Sequence, residues 1–113
     1  MSSQGFIAIG TSTALTAIST ASNVAYAPSI TNTFNIVNGS TTIPVFVGIY
    51  NSATVAANLV VPTTGNSYPG VVAIPPSSSQ VVSGNFGAQN TNTIYIAAVA
   101  SSSTTVYVTP VRD

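Results

Sequence analysis

Hydroxyl groups are the most abundant potentially reactive side chains in this sequence, and some are clustered, as in Ser77-Ser78-Ser79 and Ser101-Ser102-Ser103. A serine becomes a nucleophile only when a neighbouring base takes its proton. Residues 1–111 contain no Asp, Glu, Lys, Arg, His or Cys, and the two charged residues are Arg112 and Asp113. Tyrosine ordinarily titrates near pH 10, too high for acid–base catalysis at neutral pH. We therefore expect that the protein is not an enzyme.

The same composition argues against bound metals, cofactors and nucleic acids. Zinc and calcium sites need thiolate, imidazole or carboxylate ligands, and no such group precedes Asp113. Nucleic-acid binding needs a basic surface, which Arg112 alone cannot provide. No apolar run reaches the roughly 18 residues of a membrane span, and the start of the chain lacks the basic segment of a secretory signal. We expect no cofactor, no metal and no membrane contact, and synthesis in a host cytoplasm.

The segments around these hydroxyls repeat apolar residues with a period of two, which is typical of β-strands. Residues 30–36 and 43–50 alternate in this way, and Asn38-Gly39 between them predicts a hairpin with a type I′ turn. Residues 43–50 carry apolar side chains on both faces, which predicts a strand that is central or covered on both sides. Further strands are predicted at 57–61, 70–74, 80–83, 93–99 and 104–111. The pattern predicts an all-β fold, a single antiparallel β-sandwich or small barrel of about seven or eight short strands.

The first 29 residues differ from the rest because Ser, Thr, Ala and Gly dominate and long side chains are few. They form either an N-terminal arm that packs on a neighbouring subunit or the first strands of the same sandwich. Residues 30–113 are predicted to form the β-sandwich domain itself.

The near-absence of charge favours assembly. Strand edges in monomeric proteins are usually blunted with charged residues, bulges or proline, yet residues 43–50 and 94–99 have no charged neighbour. A net charge near zero also gives no repulsion between copies. Covering the edges with copies of the chain, or with a larger scaffold, would remove the risk of precipitation. The alternative is a monomer kept soluble by its hydroxyl and amide groups.

Three segments, in this order, carry a family resemblance. They are the run Phe34–Ser40 leading into Val45–Tyr50, the strand end Val72-Ala73-Ile74-Pro75-Pro76-Ser77, and a closing hairpin from Asn92–Ala98 to Thr104–Thr109. From Phe34 onward the chain resembles small β-sandwich virion proteins of tailed bacteriophages. It departs from them in its long Ser/Thr/Ala-rich start and in its lack of charge.

The resemblance implies a capsid decoration (cement) protein on the outer surface of a virion. Such a protein would bind the major capsid protein as a symmetric homo-oligomer, with a trimer favoured, and stabilise the shell through apolar and β-edge contacts. The candidate contact residues are Phe6, Ile7, Ile9, Leu15, Ile18, Val45, Val47, Ile49, Tyr95 and Tyr107.

Two other functions are compatible with the sequence. One is a glycan-binding module of a tail fibre, a head fibre or a host surface, in which Tyr95 and Tyr107 pair across neighbouring strands and stack on sugars. The other is a polymerising surface or pilus-like subunit, against which the missing secretory signal counts.

Overall fold

The computed structural model of the protein describes residues 7–63, 70–84, 86 and 90–112. Strands dominate this part of the chain, as the period-two pattern predicts. The elements are β1 (Ile7–Ala8), β2 (Thr13–Ala17), β3 (Ser22–Tyr26), β4 (Thr33–Asn38), β5 (Val45–Tyr50), α1 (Ala53–Ala57), β6 (Val72–Ile74), β7 (Ser79–Ser83), β8 (Ile94–Val99) and β9 (Thr104–Arg112).

The strands form two antiparallel sheets that pack face to face. In the first sheet β9 lies between β4 and the edge formed by β1 and β2, and β7 forms the opposite edge. The second sheet has the order β3-β8-β5-β6. The predicted all-β sandwich is confirmed, and because the sheets are separate the fold is a sandwich and not a closed barrel.

The edge formed by β1 and β2 is interrupted by a bulge. Ala8 lies opposite Val111 and Thr13 lies opposite Val108. The chain advances five residues from Ala8 to Thr13, whereas β9 advances only three between their partners. Gly10 sits in this bulge, where a Cβ atom would come within 2.9 Å of Pro110 Cγ. Glycine therefore allows the bulged backbone to lie directly on β9.

The connections follow a jelly-roll order. If β1 and β2 are counted as one interrupted strand, the chain changes sheet at almost every connection, and only β5 and β6 are consecutive neighbours in one sheet. Two Greek keys folded over each other give this order, which viral capsid and lectin domains also use. Residues 13–26, predicted as either an arm or first strands, are β2 and β3 and belong to the sandwich.

The main core lies between the two sheets. Alternate residues of each strand face inward, as strand geometry requires. The buried cluster consists of Leu15, Ala17, Phe34, Ile36, Val45, Val47, Ile74, Val82, Ile94, Ile96, Ala98, Ala100, Val106 and Val108. Fully burying one valine, leucine or isoleucine side chain contributes about 1.5–3 kcal/mol, so this cluster supplies most of the driving force for folding.

A second, smaller core covers the outer face of the second sheet. The helix α1 and the segment after it place Ala56 and Leu59 against Ala97 and Val99 of β8, with Phe46 packed beside them. The strand predicted at residues 43–50 to be central or covered on both sides is observed as β5 (Val45–Tyr50), and both alternatives hold, because β5 lies between β8 and β6 beneath α1.

The strand predicted at residues 57–61 is wrong, because α1 occupies residues 53–57 and the rest of that segment is irregular. The side-chain oxygen of Ser52 accepts a hydrogen bond from the Val55 backbone N–H and caps the helix. The sequence Ala53-Thr54-Val55-Ala56-Ala57 is rich in alanine, the strongest helix former. The chain after α1, including Val60 and Val61, joins no strand.

Both predicted hairpins are also wrong. β4 and β5 lie in different sheets, and so do β8 and β9. Gly39 has no positive φ, so Asn38-Gly39 does not form a type I′ turn. The chain at Gly39 instead crosses to the other sheet while the Gly39 backbone N–H donates to the carbonyl of Thr105.

Asn38 has a different role from the predicted turn residue: its buried side chain joins the two sheets. Its amide nitrogen donates to the carbonyl oxygens of Ile43 at 2.8 Å, Ile74 at 3.0 Å and Pro75 at 3.3 Å, and its amide oxygen accepts from the Ser40 backbone N–H at 2.9 Å. Asn38 itself is on β4 of the first sheet, whereas Ile74 ends β6 of the second. Asn38 is also the first residue of a formal Asn-X-Ser glycosylation motif, and its side chain is instead a buried structural link.

We expect Asn38→Ala to lower the free energy of unfolding by about 2–3 kcal/mol, because it leaves buried carbonyl groups without a donor. Asn35→Ala is the matched control on the outer face of the same strand, and it should cost less than about 0.5 kcal/mol. Urea unfolding followed by circular dichroism measures both values. Equal effects of the two substitutions would contradict the role assigned to Asn38.

Candidate functional site

The serine clusters lie in the loop that leads into β7, with Ser79 as the first residue of that strand, and in the loop between β8 and β9. Ser101, Ser102 and Ser103 are exposed between β8 and β9. Ser77 has a positive φ of 59° and donates its backbone N–H to Ser40, and the Ser78 hydroxyl donates to the Pro76 carbonyl. Among the described residues, no group of three His, Cys, Asp or Glu side chains could hold a metal ion. Ser77 and Ser78 are therefore turn and loop residues that bond to the backbone.

No helix in the described ranges is long and apolar enough to cross a membrane. The helix present there, α1, has five residues.

Three of the predicted contact residues are core residues, and their prediction as surface contacts is wrong. Leu15, Val45 and Val47 point between the sheets and are buried. Val47 also has paired neighbours on both sides, Val72 on β6 and Ala98 on β8. As core residues, all three offer almost no side-chain surface to another molecule. Ile49 is half-buried and packs against the same core.

Three other predicted contacts do lie on the surface. The exposed fraction is 66% for Ile7, 36% for Ile9 and 42% for Ile18. Ile7 and Ile9 follow the interrupted edge of the first sheet, where Ile7 is opposite Arg112. Phe6 lies outside the described residues. Of the contacts predicted in the N-terminal segment, the ones found on the surface are therefore Ile7 and Ile9 at this edge and Ile18 in the turn after β2.

Arg112, the one Lys or Arg residue of the sequence, lies beside Ile7 at this edge. Its guanidinium donates to the carbonyl oxygen of Ile30 at 2.8 Å, and Ile30 is itself 39% exposed. Ile7, Ile9, Ile30 and Arg112 form a surface that we call the isoleucine corner. It joins exposed apolar side chains to an edge strand.

Tyr95 and Tyr107 do not pair, because they belong to different sheets. Tyr95 is on β8 opposite Tyr50 and packs beneath α1. Tyr107 is on β9 between Ala14 and Val37, and 41% of it is exposed on the outer face of the first sheet. The predicted pair failed because it assumed that consecutive strands are neighbours.

The outer face of the first sheet has an uncharged, mostly polar surface. A groove of about 440 Å³ crosses it, lined by Ala8, Asn35, Val81, Thr109 and Val111. The Thr109 hydroxyl shares a 2.7 Å hydrogen bond with the Ser12 hydroxyl. The groove offers neutral amide and hydroxyl groups beside apolar ones.

A smaller cleft of about 260 Å³ opens between the sheets where β6 and β7 form adjacent edges. Its lining includes Val47, Ile49, Val72 and Val82 together with Gln80. Most of these side chains also line the core, so the cleft is an opening of the sandwich rather than a separate polar site.

The fold changes the ionisation of Tyr26. Its ring lies 4.8 Å from that of Phe34, centroid to centroid, at the side of the core. Burial raises the pKa of Tyr26 above its usual value of 10.0, and the nearby Thr13 hydroxyl, which lowers it, offsets only part of this. Among the described residues, no group meets the distance and angle of a regular hydrogen bond to the Tyr26 hydroxyl. Its hydroxyl therefore favours the neutral form.

Sequence reasoning missed β3, whose five residues alternate in the pattern Ser22-Asn23-Val24-Ala25-Tyr26. Val24 and Tyr26 share one parity and face the core. This alternation is a weak strand signal that was available in the sequence. The Ser/Thr/Ala-rich surroundings obscured it.

No family model matches the chain, and searches of curated proteins and of solved structures find no significant match.

We expect stability to be constant between about pH 5 and about pH 9, because the body of the chain has no group that titrates there. Above about pH 10 the unfolded chain ionises Tyr26 more readily than the folded one, since its folded pKa is raised. Stability that is present below pH 10 should therefore be lost as the pH rises. Melting temperatures measured across this range test the expectation.

Tyr26→Phe should reduce the alkaline loss, and Tyr107→Phe, at an exposed position, serves as the control that keeps it. A stability transition between pH 5 and pH 9, or an unchanged alkaline loss in Tyr26→Phe, would contradict this interpretation.

Proposed function

We propose that this protein is a structural subunit of a virion, a decoration protein that binds the capsid of a tailed phage as a symmetric oligomer. The observation that carries the proposal is the surface itself. Exposed strands, edges and faces between Ile7 and Val111 contain no charged side chain. Such a surface suits permanent burial against copies of itself and a shell, because no charge has to be desolvated.

The contact with the major capsid protein is assigned to the isoleucine corner. Exposed isoleucine side chains supply apolar area at roughly 25 cal/mol per Å² buried, before the entropy cost of association. The bulge between β1 and β2 interrupts the adjoining edge, so this contact is assigned to side chains and not to backbone pairing. Many weak contacts of this kind, repeated over a symmetric surface, add up to stable attachment.

The jelly-roll order supports this role by analogy alone. The same architecture serves viral capsid proteins and lectins, so topology does not choose between assembly and sugar binding. The choice rests on the surface, because exposed isoleucine side chains lie at the isoleucine corner, whereas the described residues that line the groove contain no aromatic side chain.

The test uses the purified full chain and empty heads from the tailed phage that encodes it. The protein should sediment with the heads equally well at about 0.05 M and about 1 M NaCl, because there are few ion pairs to screen. Bound protein should also raise the temperature at which the heads open. Failure to sediment with the heads, or release at high salt, would contradict the proposal.

Ile7→Asp should weaken head binding at least about tenfold, an energy of about 1.4 kcal/mol. Val60→Asp is the matched control, because Val60 is also exposed but lies beyond α1, far from the isoleucine corner along the chain. Equal losses in both variants would remove the isoleucine corner from the contact.

Sugar binding is a second candidate, favoured by the groove on the first sheet. Tyr107 is exposed on the same face as Asn35 and Thr109, and this combination of a ring with neutral polar groups suits an uncharged sugar. Binding to an array of neutral glycans, lost in Tyr107→Ala and kept in Thr16→Ala, would support it. An array without any bound glycan would exclude it.

A further inference from the structure

The two sheets have four edges, and three of them carry devices that discourage pairing with another strand. The first edge is broken by the bulge between β1 and β2. β6 has three residues and is followed by Pro75 and Pro76. β7 places Gln80 on its core-facing side, opposite Ile36, where an apolar residue would be expected. Bulges, short strands, prolines and inward-pointing polar residues all blunt edges without using charge.

The fourth edge, β3, has no bulge and is longer than β6, although Ser22 at its start faces inward opposite Ala98 and Pro28 lies two residues beyond its end. Its five residues pair with β8 along their whole length on one side, without a bulge, a proline or a charge. On its other side, no backbone hydrogen bond connects it to any residue in the described ranges. The N–H and C=O groups there form a template for a further strand.

The side chains of β3 also leave the core incompletely covered. Val24 and Tyr26 face inward opposite Ile96 and Ile94, which are buried, but both are themselves half-exposed. The corresponding core-facing residues on β2, Leu15 and Ala17, are buried. An added strand beside β3 would cover the apolar side chains that this edge leaves open.

We propose that β3 is the self-association edge of this protein and pairs antiparallel with β3 of a second copy. The two four-stranded sheets would then form one continuous sheet across a two-fold axis. This inference deepens the proposed function by naming a contact between copies, and it rests on that function for its role in a virion.

A second copy fits this edge better than an unrelated strand because the contact is symmetric. In a two-fold antiparallel pair, residues near the centre of the strand meet their own counterparts, and like charges there would repel. Ser22, Asn23, Val24, Ala25 and Tyr26 contain no charge, so the strand can meet itself without that penalty.

The contact is small, and this sets its strength. Five residues at about 3.4 Å each give an edge of about 17 Å, less than a standard interface. We therefore expect weak pairing in dilute solution and stronger pairing where copies are concentrated on a shell. More than two copies would need a second interface, so a trimer is not expected from this edge alone.

The experiment compares wild type with Ala25→Lys and Ala14→Lys. Both alanines are exposed and lie on edge strands, but Ala25 is on β3 and Ala14 on β2. Sedimentation equilibrium should show concentration-dependent dimers of wild type and of Ala14→Lys, and at least about tenfold weaker association of Ala25→Lys. Circular dichroism confirms that each variant is folded.

A wild-type monomer up to about 1 mM, or equal association of all three proteins, would overturn the inference. Hydrogen exchange of wild type provides a second measurement that needs no variant. The amides of residues 22–26 should be more protected at high protein concentration than at low, and unchanged protection would also overturn it. If wild type binds heads but never dimerises, this inference alone is contradicted. If wild type dimerises but does not bind heads, the proposed function alone is contradicted.

Discussion

The two charged side chains of this protein are its last two residues. Its buried polar groups must therefore be paired, and its surface hydrated, through hydrogen bonds between neutral groups. Asn38 shows how the constraint is met inside, because one uncharged amide joins a strand of the first sheet to strand ends of the second. Hydroxyl groups do the same nearer the surface, as where Thr31 donates to the Val111 carbonyl and the Ser40 hydroxyl accepts from the Ile43 N–H. Neutral bonds of this kind contribute roughly 1 kcal/mol each and depend little on salt or pH.

The same constraint shapes the outside of the molecule. Without charges, the edges of the sheets are protected by geometry: a bulge on the first edge, a short strand followed by prolines, and an inward-facing glutamine. α1 covers β8 and β5 from outside, which removes one apolar face from the surface. The outer edge of β3 and the isoleucine corner stay uncovered. The assembly function proposed for the chain follows from these two surfaces.

Sequence reasoning predicted the fold class but not the partners of each strand. Alternation along Phe34–Asn38 and Val45–Tyr50 identifies strands and their two faces, because it depends on local geometry. It does not say which sheet a strand joins, and the jelly roll sends β4 and β5 to different sheets. The two predicted hairpins and the Tyr95–Tyr107 pair failed for this one reason. Parity also cannot tell an inward face from an outward one, which is why Val45 and Val47 were predicted as contacts.

The central claim is that copies of this chain cover part of one another's uncharged surface. Sedimentation equilibrium of the unmodified protein, over a wide range of protein concentrations and at low and high salt, tests it most directly. The account predicts reversible association whose strength is the same at both salt concentrations. A single monomeric species at every concentration, or association that salt weakens, would contradict it.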